Sequence, residues 1–354
     1  MNKWSLRPLP VSTELETKSV LKRLPKAHAA LAELKGIAQT IPNQNILINT
    51  LGLQEAKDSS EIENIITTHD ELYKSELNLI KSLESKEVQN YIEALKFGFE
   101  LVKKDNLITN NSIIGIQSKI EKNRAGFRKV PGTVLKNATT GEVVFEPPQE
   151  HKEILSLMNN LEIFINDNKF SDLDPFIKMA VIHLQFESIH PFYDGNGRTG
   201  RILNILYLIN QKLLNIPILY LSNYIIKNKT MYYELLQNVR SENRWEEWIL
   251  YMIDSIEQTS IDTIQLICQI KELMQNSKNE LRSRYKFYSQ DLLNNLYKHP
   301  YSKIEFLVKD LNVSRITAAN YLNKLSEDGI LRKEKLGKSN YYINEKLFKL
   351  LKKR

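Results

Sequence analysis

The feature that most limits how this chain can fold is a pair of apolar helical segments joined by a short turn that contains glycine. Residues 176–189 are apolar on most helical faces, and residues 199–214 repeat that character. A helix that is apolar all round has to be buried. Asp174 and Pro175 precede the first segment as a helix cap and a favoured first helical residue. We therefore predict a mainly α fold whose core holds both helices, with the turn between them.

Helical periodicity extends over most of the remaining chain. Apolar residues recur at helical spacing through residues 15–34, and Gly36 is a suitable stop. A second helix is predicted to begin near Asp58, with Asp58 or Ser59 as its cap and Glu63 near its positive end. Further helices are predicted over residues 71–83, 87–103, 112–119, 150–168 and from Trp245 through Met274 towards Arg284.

The helical pattern breaks between Gly126 and Pro148. Two short β-prone runs, at residues 129–135 and 142–146, flank the turn-forming residues 137–141. This arrangement predicts one exposed β-hairpin within a helical domain. A plain connecting loop is the alternative, because a lone hairpin is only marginally stable by itself.

The positive charge of the chain is concentrated at its C-terminal end. The net charge is +7, and residues 281–354 hold 17 Lys and Arg against 7 Asp and Glu. This balance predicts an acidic partner for that region. A single cysteine, Cys268, excludes an internal disulfide framework and agrees with a reducing compartment. Because no leader and no apolar run of about 18 residues occur, we expect a cytoplasmic protein without a membrane span.

Residues 285–354, which we call the winged-helix unit, follow the order of three helices and two short strands. Residues 304–325 resemble a helix-turn-helix in which Ser314 caps the second helix, and residues 329–343 resemble a wing. We predict that this unit binds DNA; a winged helix used for protein contacts or for a homodimer is the alternative. The residues predicted to contact DNA are Arg315, Asn320, Lys324, Lys335 and Lys338.

The turn between the two apolar helices has the composition of a phosphate-binding site. Gly195 and Gly197 lack a Cβ, so backbone amides can approach an anion closely. The turn opens into a helix N-terminus, where unpaired amides and the helix dipole favour negative charge. Arg198 and Arg201 are placed to fork onto phosphate oxygens, and Asn196 adds a neutral donor.

Two residues beside this nest indicate chemistry as well as binding. His190 ends the preceding helix and is of the type that most often serves as a general base. Asp194 suits Mg²⁺, which commonly takes one or two carboxylates together with phosphate oxygens. A base, a metal-binding carboxylate and an anion nest within 12 residues predict phosphoryl or nucleotidyl transfer. A turn without a chemical role is the alternative for a generic pattern of this kind.

The string HPFYDGNGRTGR at residues 190–201 resembles the Fic family signature, HxFx(D/E)GNGRxxR, at every specified position. The resemblance implies a Fic helical core with a β-hairpin flap. It also implies transfer of AMP from ATP, with Mg²⁺, to a Ser, Thr or Tyr hydroxyl of a target protein. His190 would deprotonate the hydroxyl, Asp194 would hold Mg²⁺, Arg198 would neutralise the leaving pyrophosphate and Arg201 would meet the γ-phosphate. The implied nucleotide-binding residues of the string are His190, Gly195, Asn196, Gly197, Arg198, Thr199, Gly200 and Arg201.

The same resemblance assigns roles to two other regions. It implies that residues 133–146 form a flap on which β-strand addition presents the target hydroxyl to His190. It also implies that the adenine lies near Tyr232 and Tyr233, whose aromatic faces suit stacking. Packing in the core is the alternative for either tyrosine.

Residues 59–64, SSEIEN, resemble the inhibitory motif of Fic proteins, (S/T)xxxE(G/N), and we call them the inhibitory segment. The resemblance makes Ser59, Glu63 and Asn64 regulatory residues. It places Glu63 in the nucleotide site, where an ion pair with Arg201 would take the donor that the γ-phosphate needs. In some relatives this glutamate assists removal of AMP, so de-AMPylation is a second activity to consider.

These assignments divide the chain into four regions: an N-terminal helical region (1–110), a catalytic core (111–258), a linking helix (259–284) and the winged-helix unit (285–354). Two other functions compete with adenylyl transfer. One is phosphotransfer, as in the Doc branch, which has lysine in place of Gly197. The other is a DNA-binding regulator that uses the Fic core as a nucleotide sensor, against which the intact His190, Asp194 and Arg201 argue.

Overall fold

A computed structural model describes residues 6–76, 82–136, 140–336 and 339–352 of the chain, which are mainly helical. The predicted fold class, mainly α with a small hairpin and a C-terminal winged helix-turn-helix, is confirmed. The helices are α1 (Lys18–Ala38), α2 (Asn45–Ile62), α3 (His69–Glu76), α4 (Leu83–Asp105), α5 (Asn110–Glu121), α6 (His151–Asn166), α7 (Pro175–Ile189), α8 (Asn196–Asn210), α9 (Leu221–Lys227), α10 (Lys229–Glu242), α11 (Trp245–Arg284), α12 (Gln290–Lys298), α13 (Ile304–Leu311), α14 (Arg315–Glu327) and α15 (Glu345–Lys352). The strands are β1 (Leu135–Lys136), β2 (Val143–Phe145), β3 (Tyr301–Ser302), β4 (Arg332–Leu336) and β5 (Ser339–Ile343).

The two apolar helices predicted at the centre are α7 and α8. Asp174 caps α7 by accepting a hydrogen bond from the Phe176 N–H at 2.8 Å, and Pro175 takes the first helical position, as predicted. Every later residue of α7 is buried, as are nearly all residues of α8. α8 begins at Asn196, slightly before the predicted start, because Gly195 acts as its N-cap. The turn is therefore held between two elements that cannot shift without opening the core.

The inhibitory segment lies at the end of α2, not at the start of a helix. The prediction of a helix that begins near Asp58 is therefore wrong, since α2 has run for most of its length by that residue. Ser59 is in the last turn and Glu63 is the C-cap. Serine is typical of helix starts because its side chain can satisfy unpaired backbone amides. Here the Ser59 hydroxyl instead accepts a hydrogen bond from Arg201, a tertiary contact that local sequence does not reveal.

A single helix of 40 residues, α11, runs from the catalytic region to the winged-helix unit. It confirms the long helix predicted to reach Arg284. The proposed boundary between residues 258 and 259 lies inside this helix. α1 packs along α11, and Arg23 Nε donates to Asp254 Oδ1 at 2.5 Å between them.

The predicted hairpin is present as β1 and β2, so the alternative of a plain loop is wrong. The strands pair antiparallel, with Leu135 opposite Phe145 and Lys136 opposite Val143. Residues 137–139 of the predicted turn lie outside the described residues.

The winged-helix unit has the predicted helix-turn-helix and wing. Asn312 ends α13 in the left-handed region, and Ser314 caps α14 by accepting from the Thr317 N–H at 3.1 Å. β4 and β5 form the wing within a sheet of order β3-β5-β4. The structure adds β3 and α15, which were not predicted, while Lys338 lies outside the described residues. Within the described ranges, no helix has the length and apolar character needed to cross a membrane.

Candidate active site

His190 stands where α7 ends and the turn begins. Its backbone is in the left-handed region, with φ of 48°, and its N–H donates to the Phe186 carbonyl at 3.0 Å. Burial, reinforced by the positive charges of Arg240 and Arg128, lowers the pKa of His190 to about 4. The imidazole is therefore neutral at pH 7, which is the form that can accept a proton.

Asp194 lies exposed on the turn beside the start of α8. Its Oδ1 accepts from the Gly195 N–H at 2.7 Å, and Gly195 adopts a φ of 76° that favours glycine. Among the described residues, no group of three or more His, Cys, Asp and Glu is arranged to hold a metal. Mg²⁺ needs no such group when phosphate oxygens supply most of its ligands. An exposed carboxylate next to an anion nest fits a Mg²⁺ ion that arrives with a nucleotide.

The other polar residues of the string hold the turn in shape. Asn196 exchanges two hydrogen bonds with the backbone of Phe192, at 2.9 and 2.8 Å. The Thr199 hydroxyl donates to the Gly195 carbonyl at 2.7 Å. Gly200 is needed for close packing, because a Cβ there would lie 2.6 Å from Glu187 Oε1. Both polar side chains are thus bonded to backbone, which leaves main-chain amides as the groups of this turn that suit a phosphate.

Arg201 is buried and is held by the inhibitory segment. Its Nε donates to Ser59 Oγ at 2.8 Å, and its Nη2 donates to the Ser59 carbonyl at 2.9 Å. Nη2 also donates to Glu63 Oε1 at 2.8 Å, the pair predicted from the sequence. The exposed fraction is 2% for the Arg201 side chain and 35% for the Glu63 side chain. Burial alone would raise the pKa of Glu63, but the nearby Arg201 outweighs it and lowers that pKa.

Two small residues make the contact between Glu63 and Arg201 geometrically feasible. Asn64 has a φ of 63°, a conformation that asparagine and glycine adopt more readily than other residues. This explains why the motif ends in one of those two types. A Cβ on Gly197 would overlap Glu63 Oε1, so Glu63 can reach Arg201 only while position 197 has no side chain.

Arg198 is also paired, with two carboxylates that sequence reasoning missed. Its Nη1 donates to Glu87 Oε2 at 2.7 Å and its Nη2 to Glu121 Oε1 at 2.7 Å. Its side chain is only 4% exposed. Burial raises the pKa of Glu121 although Arg198 opposes that change. Glu87 comes from α4 and Glu121 from α5, so nothing near Arg198 in the chain signals them.

The two tyrosines that were predicted to bind the adenine differ in their exposure to solvent. Tyr232 is buried, and its hydroxyl lies 2.8 Å from Nε2 of His183, which is itself a buried core residue as expected. Tyr233 is 46% exposed on the same helix, and its ring contacts that of Tyr232. Of the two, only Tyr233 presents a ring to which a base could gain access.

Two further buried charges flank the site and were not predicted. Glu187 Oε1 has no hydrogen-bond partner among the described residues, and burial raises the pKa of Glu187 to about 7. Burial lowers the pKa of Arg240 to about 10. Arg240 Nε donates to Ser188 Oγ at 3.1 Å, and its guanidinium lies 4.2 Å from the ring centre of Phe145 in β2. Both residues fit ordinary helical patterns, so their location beside the site is visible only in three dimensions.

Three family models match the chain in sequence order. The one described as Fic/DOC family N-terminal matches residues 21–100, and the one described as Fic/DOC family matches residues 107–208. The third, described as the C-terminal domain of SoFic-like protein adenylyltransferase, matches residues 273–347. These matches fall on the inhibitory segment, the central turn and the winged-helix unit.

Curated relatives match mainly the middle of the chain. A probable protein adenylyltransferase of Aquifex aeolicus is 28% identical over 176 residues, covering 48% of this chain and 51% of that protein. Protein adenylyltransferase Fic of Aedes aegypti is 25% identical over 177 residues, covering 50% of this chain and 33% of its own length. The matched region thus spans about half the length of these relatives or less.

Solved structures share the fold over larger regions. A Fic family protein from Desulfovibrio desulfuricans covers 95% of this chain and 97% of its own, with a TM-score of 0.59 and 17% identity. A fragment of Fic-1 from C. elegans covers 70% of this chain and 72% of its own, with a TM-score of 0.54 and 19% identity. At these identities the likeness concerns the fold alone.

Proposed function

The chain belongs to the Fic/DOC family, and on that premise we propose that it is a protein adenylyltransferase. It would transfer AMP from ATP to the hydroxyl of a Ser, Thr or Tyr side chain of a target protein. The observation that carries the proposal is the complete Fic string on one rigid turn, with a neutral, half-buried His190 on one side and the buried Arg201 on the other. The names of relatives from Aquifex aeolicus and Aedes aegypti support the same activity.

In the proposed reaction the target hydroxyl attacks the α-phosphorus of ATP in line with the departing oxygen. The new bond joins that hydroxyl oxygen to the α-phosphorus, the bond to the bridging oxygen breaks, and pyrophosphate leaves. The imidazole of His190 accepts the hydroxyl proton. Amides of the turn from Gly195 to Gly197, at the start of α8, bind phosphate oxygens. Mg²⁺, held by Asp194 and the nucleotide, would add positive charge beside the phosphates.

We further propose that the resting enzyme is inhibited by its own inhibitory segment. Glu63 occupies Nη2 of Arg201, the donor that the γ-phosphate would use. Arg198 can reach the pyrophosphate only after it leaves Glu87 and Glu121. ATP that binds beside these carboxylates would meet both repulsion and occupied donors, so the productive pose would be rare.

The target would dock on the hairpin of β1 and β2, which is the flap in this proposal. Its strands pair only with each other among the described residues, so an extended target segment can add at an open edge. Pairing of this kind fixes register through backbone hydrogen bonds, which leaves the identity of the target to other contacts.

The experiment that tests the proposal compares wild type, Glu63→Gly and His190→Ala with α-labelled ATP, Mg²⁺ and cell lysate. We expect label on protein with the first two, more strongly with Glu63→Gly, and none with His190→Ala. Transfer from γ-labelled ATP instead would favour a Doc-like phosphotransferase, against which Gly197 stands. Nucleotide binding without transfer from either position would favour a nucleotide sensor. Release of AMP from purified labelled protein would reveal de-AMPylation.

A second proposed function is duplex DNA binding by the winged-helix unit. The observation that favours it is the exposure of predicted contact residues on α14 and the wing: Arg315, Asn320, Lys324 and Lys335. Phosphate contacts release counterions, so affinity for a duplex should fall steeply as salt rises. The measurement is duplex binding by the full chain between low and moderate salt, with Lys324→Ala expected to reduce the slope. No binding at low salt would leave protein contacts or a homodimer as the role of this unit.

A further inference from the structure

Arg128, in the loop before the flap, is a fully buried arginine with no carboxylate hydrogen-bonded or ion-paired to it in the described structure. Its Nε donates to the carbonyl of His190 at 2.8 Å. Its Nη2 donates to the Ile189 carbonyl at 3.4 Å and to the Pro148 carbonyl. Its own backbone N–H donates to the Pro191 carbonyl at 2.8 Å. The hydrogen bonds of Nε and Nη2 thus all go to main-chain oxygens at one point of the site, whereas the buried Nη1 has no partner among the described residues.

These acceptors connect the catalytic turn with both ends of the flap. Arg128 itself stands before β1, whereas Pro148 follows β2. His190 offers its carbonyl because its left-handed backbone turns that oxygen out of the helix. One guanidinium thus holds the base and the two roots of the hairpin together. A planar fork with several donors suits this task, which the single ammonium group of lysine cannot reproduce.

Independent contacts support the same connection. The Tyr193 hydroxyl, on the catalytic turn, accepts from the Lys129 and Val130 N–H groups at 2.9 and 3.1 Å. On the other strand, the Arg240 guanidinium lies over Phe145. The loop before β1 is therefore fastened to the catalytic turn, and β2 contacts Arg240 of α10, which also donates to Ser188 near the end of α7.

We propose that Arg128 is a positioning residue that sets the distance between a hydroxyl bound on the flap and the imidazole of His190. The proposal rests on the proposed function, because it assumes that the flap carries the target. In the proposed function ATP binds mainly at the start of α8, and among the described residues Arg128 makes its side-chain hydrogen bonds elsewhere. Loss of the guanidinium hydrogen bonds of Arg128 should therefore slow AMP transfer, while the affinity for ATP stays the same. A misplacement of about 1 Å between reacting groups can cost roughly 100-fold in rate.

The test uses Arg128→Lys in the Glu63→Gly background, with initial rates of protein labelling and the ATP Kd from calorimetry. We expect kcat to fall about 10- to 100-fold and the Kd for ATP to stay within about twofold. Arg23→Lys, on a surface ion pair, is the matched control and should leave both unchanged. An unchanged kcat, or equal losses in kcat and ATP binding, would overturn the proposal. If the Glu63→Gly parent itself transfers no label, the proposed function fails instead.

Arg128→Lys could lower rate simply by unfolding, so a second variant is needed. Tyr193→Phe keeps the ring but removes the hydroxyl that accepts from Lys129 and Val130. It should give a smaller fall in kcat with the same ATP affinity and an unchanged melting temperature within a few degrees. A normal kcat for this variant together with a large loss of melting temperature in Arg128→Lys would mean that Arg128 is structural only.

A different set of contacts supports a second proposal, on the winged-helix unit. This unit packs on α2, which ends in the inhibitory segment, and on α3, which follows that segment. Before the segment, in α2, Gln54 Nε2 donates to the Leu351 carbonyl at 2.8 Å and is buried there. After the segment, in α3, Asp70 Oδ1 accepts from the Tyr301 hydroxyl at 2.6 Å.

Aromatic packing strengthens the contact on the α3 side. The ring of Tyr73 stacks on Tyr301 with 5.5 Å between centres, and it meets the edge of Phe348 at 5.8 Å. Tyr73 and Tyr301 are both buried. Aromatic pairs of this kind add about 0.5–1.5 kcal/mol beyond the area they bury. The inhibitory segment is therefore anchored to the winged-helix unit on both sides.

We infer that the winged-helix unit holds Glu63 against Arg201, so that loosening its contact with α2 and α3 raises adenylyl transfer. The inference also rests on the proposed function. The predicted DNA-binding residues of the winged-helix unit, Arg315, Asn320 and Lys324, are exposed. A ligand can therefore bind this unit while it packs against α2 and α3. Such a ligand would act on the inhibitory segment through the interface with α2 and α3.

The test is a double-mutant cycle on the full chain. Gln54→Ala with Tyr301→Phe removes both hydrogen bonds, and it should raise labelling roughly five- to thirtyfold in the wild-type background. In the Glu63→Gly background the same two substitutions should change labelling by less than about twofold, because the inhibitory ion pair with Arg201 is already absent. Glu327→Ala, at an exposed residue of the same unit outside its predicted DNA contacts, is the control and should have no effect in either background. Equal effects in both backgrounds, or none in wild type, would overturn the inference, whereas a silent Glu63→Gly parent would overturn the proposed function.

Discussion

Replacing Glu63 by glycine removes the carboxylate that contacts Arg201 while leaving the residues of the Fic string untouched. Glycine is acceptable here because Glu63 is the C-cap of α2, with a φ of −87° that any residue adopts, so no helical interior is disturbed. A carboxylate there also faces the negative end of the helix dipole, so its removal relieves a small repulsion. The substitution therefore tests the ion pair with little disturbance of the helix.

The size of the effect follows from the geometry of the pair. A single hydrogen bond of 2.8 Å joins Nη2 of Arg201 to Oε1 of Glu63. Bonds between charged groups contribute about 1.5–3 kcal/mol. Because the Glu63 side chain is 35% exposed, solvent screens the ion pair, and we expect its contribution to lie in the lower part of that range. With about 1.4 kcal/mol for each factor of ten, we expect roughly a 10- to 30-fold rise in labelling.

The assay is the initial rate of self-labelling with α-labelled ATP and Mg²⁺, measured alongside Glu63→Gln and His190→Ala. Glutamine keeps an oxygen that can accept from Arg201 but has no charge, so its rate should lie between those of wild type and glycine. His190→Ala in the glycine background should abolish the signal. A rate for Glu63→Gly within about twofold of wild type, with the histidine control silent, would refute the argument that this pair limits activity.

Three further outcomes are expected. Labelling should persist well below pH 6 and decline towards pH 4. The reason is that burial lowers the pKa of His190 to about 4 and only the neutral imidazole accepts a proton. A decline centred near pH 6.5 in the pH–rate profile would contradict this. The melting temperature should fall from pH 7 to pH 5. Four histidines, His69, His183, His190 and His299, have pKa values of about 3 to 4 in the folded chain, below the unfolded value of about 6.5, so the unfolded state binds more of their protons in this window. Glu55 and Glu187, whose pKa values burial raises to about 7, bind protons in the folded state over the same window and offset only part of this loss; a flat or rising profile would oppose the prediction. Asp194→Asn should lower labelling about 10- to 100-fold at fixed Mg²⁺, with partial recovery as Mg²⁺ is raised in a titration; an unchanged Mg²⁺ dependence would remove Asp194 as the ligand.

Local signals in the sequence determined much of this protein. The cap at Asp174 and the apolar character of α7 and α8 specify two buried helices, since helix caps and helical period act over a few residues. The turn of the helix-turn-helix at Asn312 and Ser314 is likewise specified by residues that are neighbours in the sequence. The Fic string is contiguous, so its residues are identifiable from the order of amino acids alone. The ion pair between Glu63 and Arg201 followed from the resemblance to the family.

Other features were decided by tertiary structure alone. Ser59 resembles a helix start in the sequence, yet it lies in the last turn of α2, where its hydroxyl accepts a hydrogen bond from Arg201. Asn196 was predicted as a phosphate donor, whereas its amide is bonded to the backbone of Phe192.

The partners of the motif arginines come from distant parts of the chain. Glu87 and Glu121 meet Arg198 only because α4 and α5 pack beside α8. Arg128 gains its position from carbonyls that surround His190. Burial and pairing depend on which elements come together in space, and that information is spread over the whole chain, not held near any one residue. The sequence by itself therefore determined the chemistry of the turn, while the fold decided which of its charged groups are already engaged.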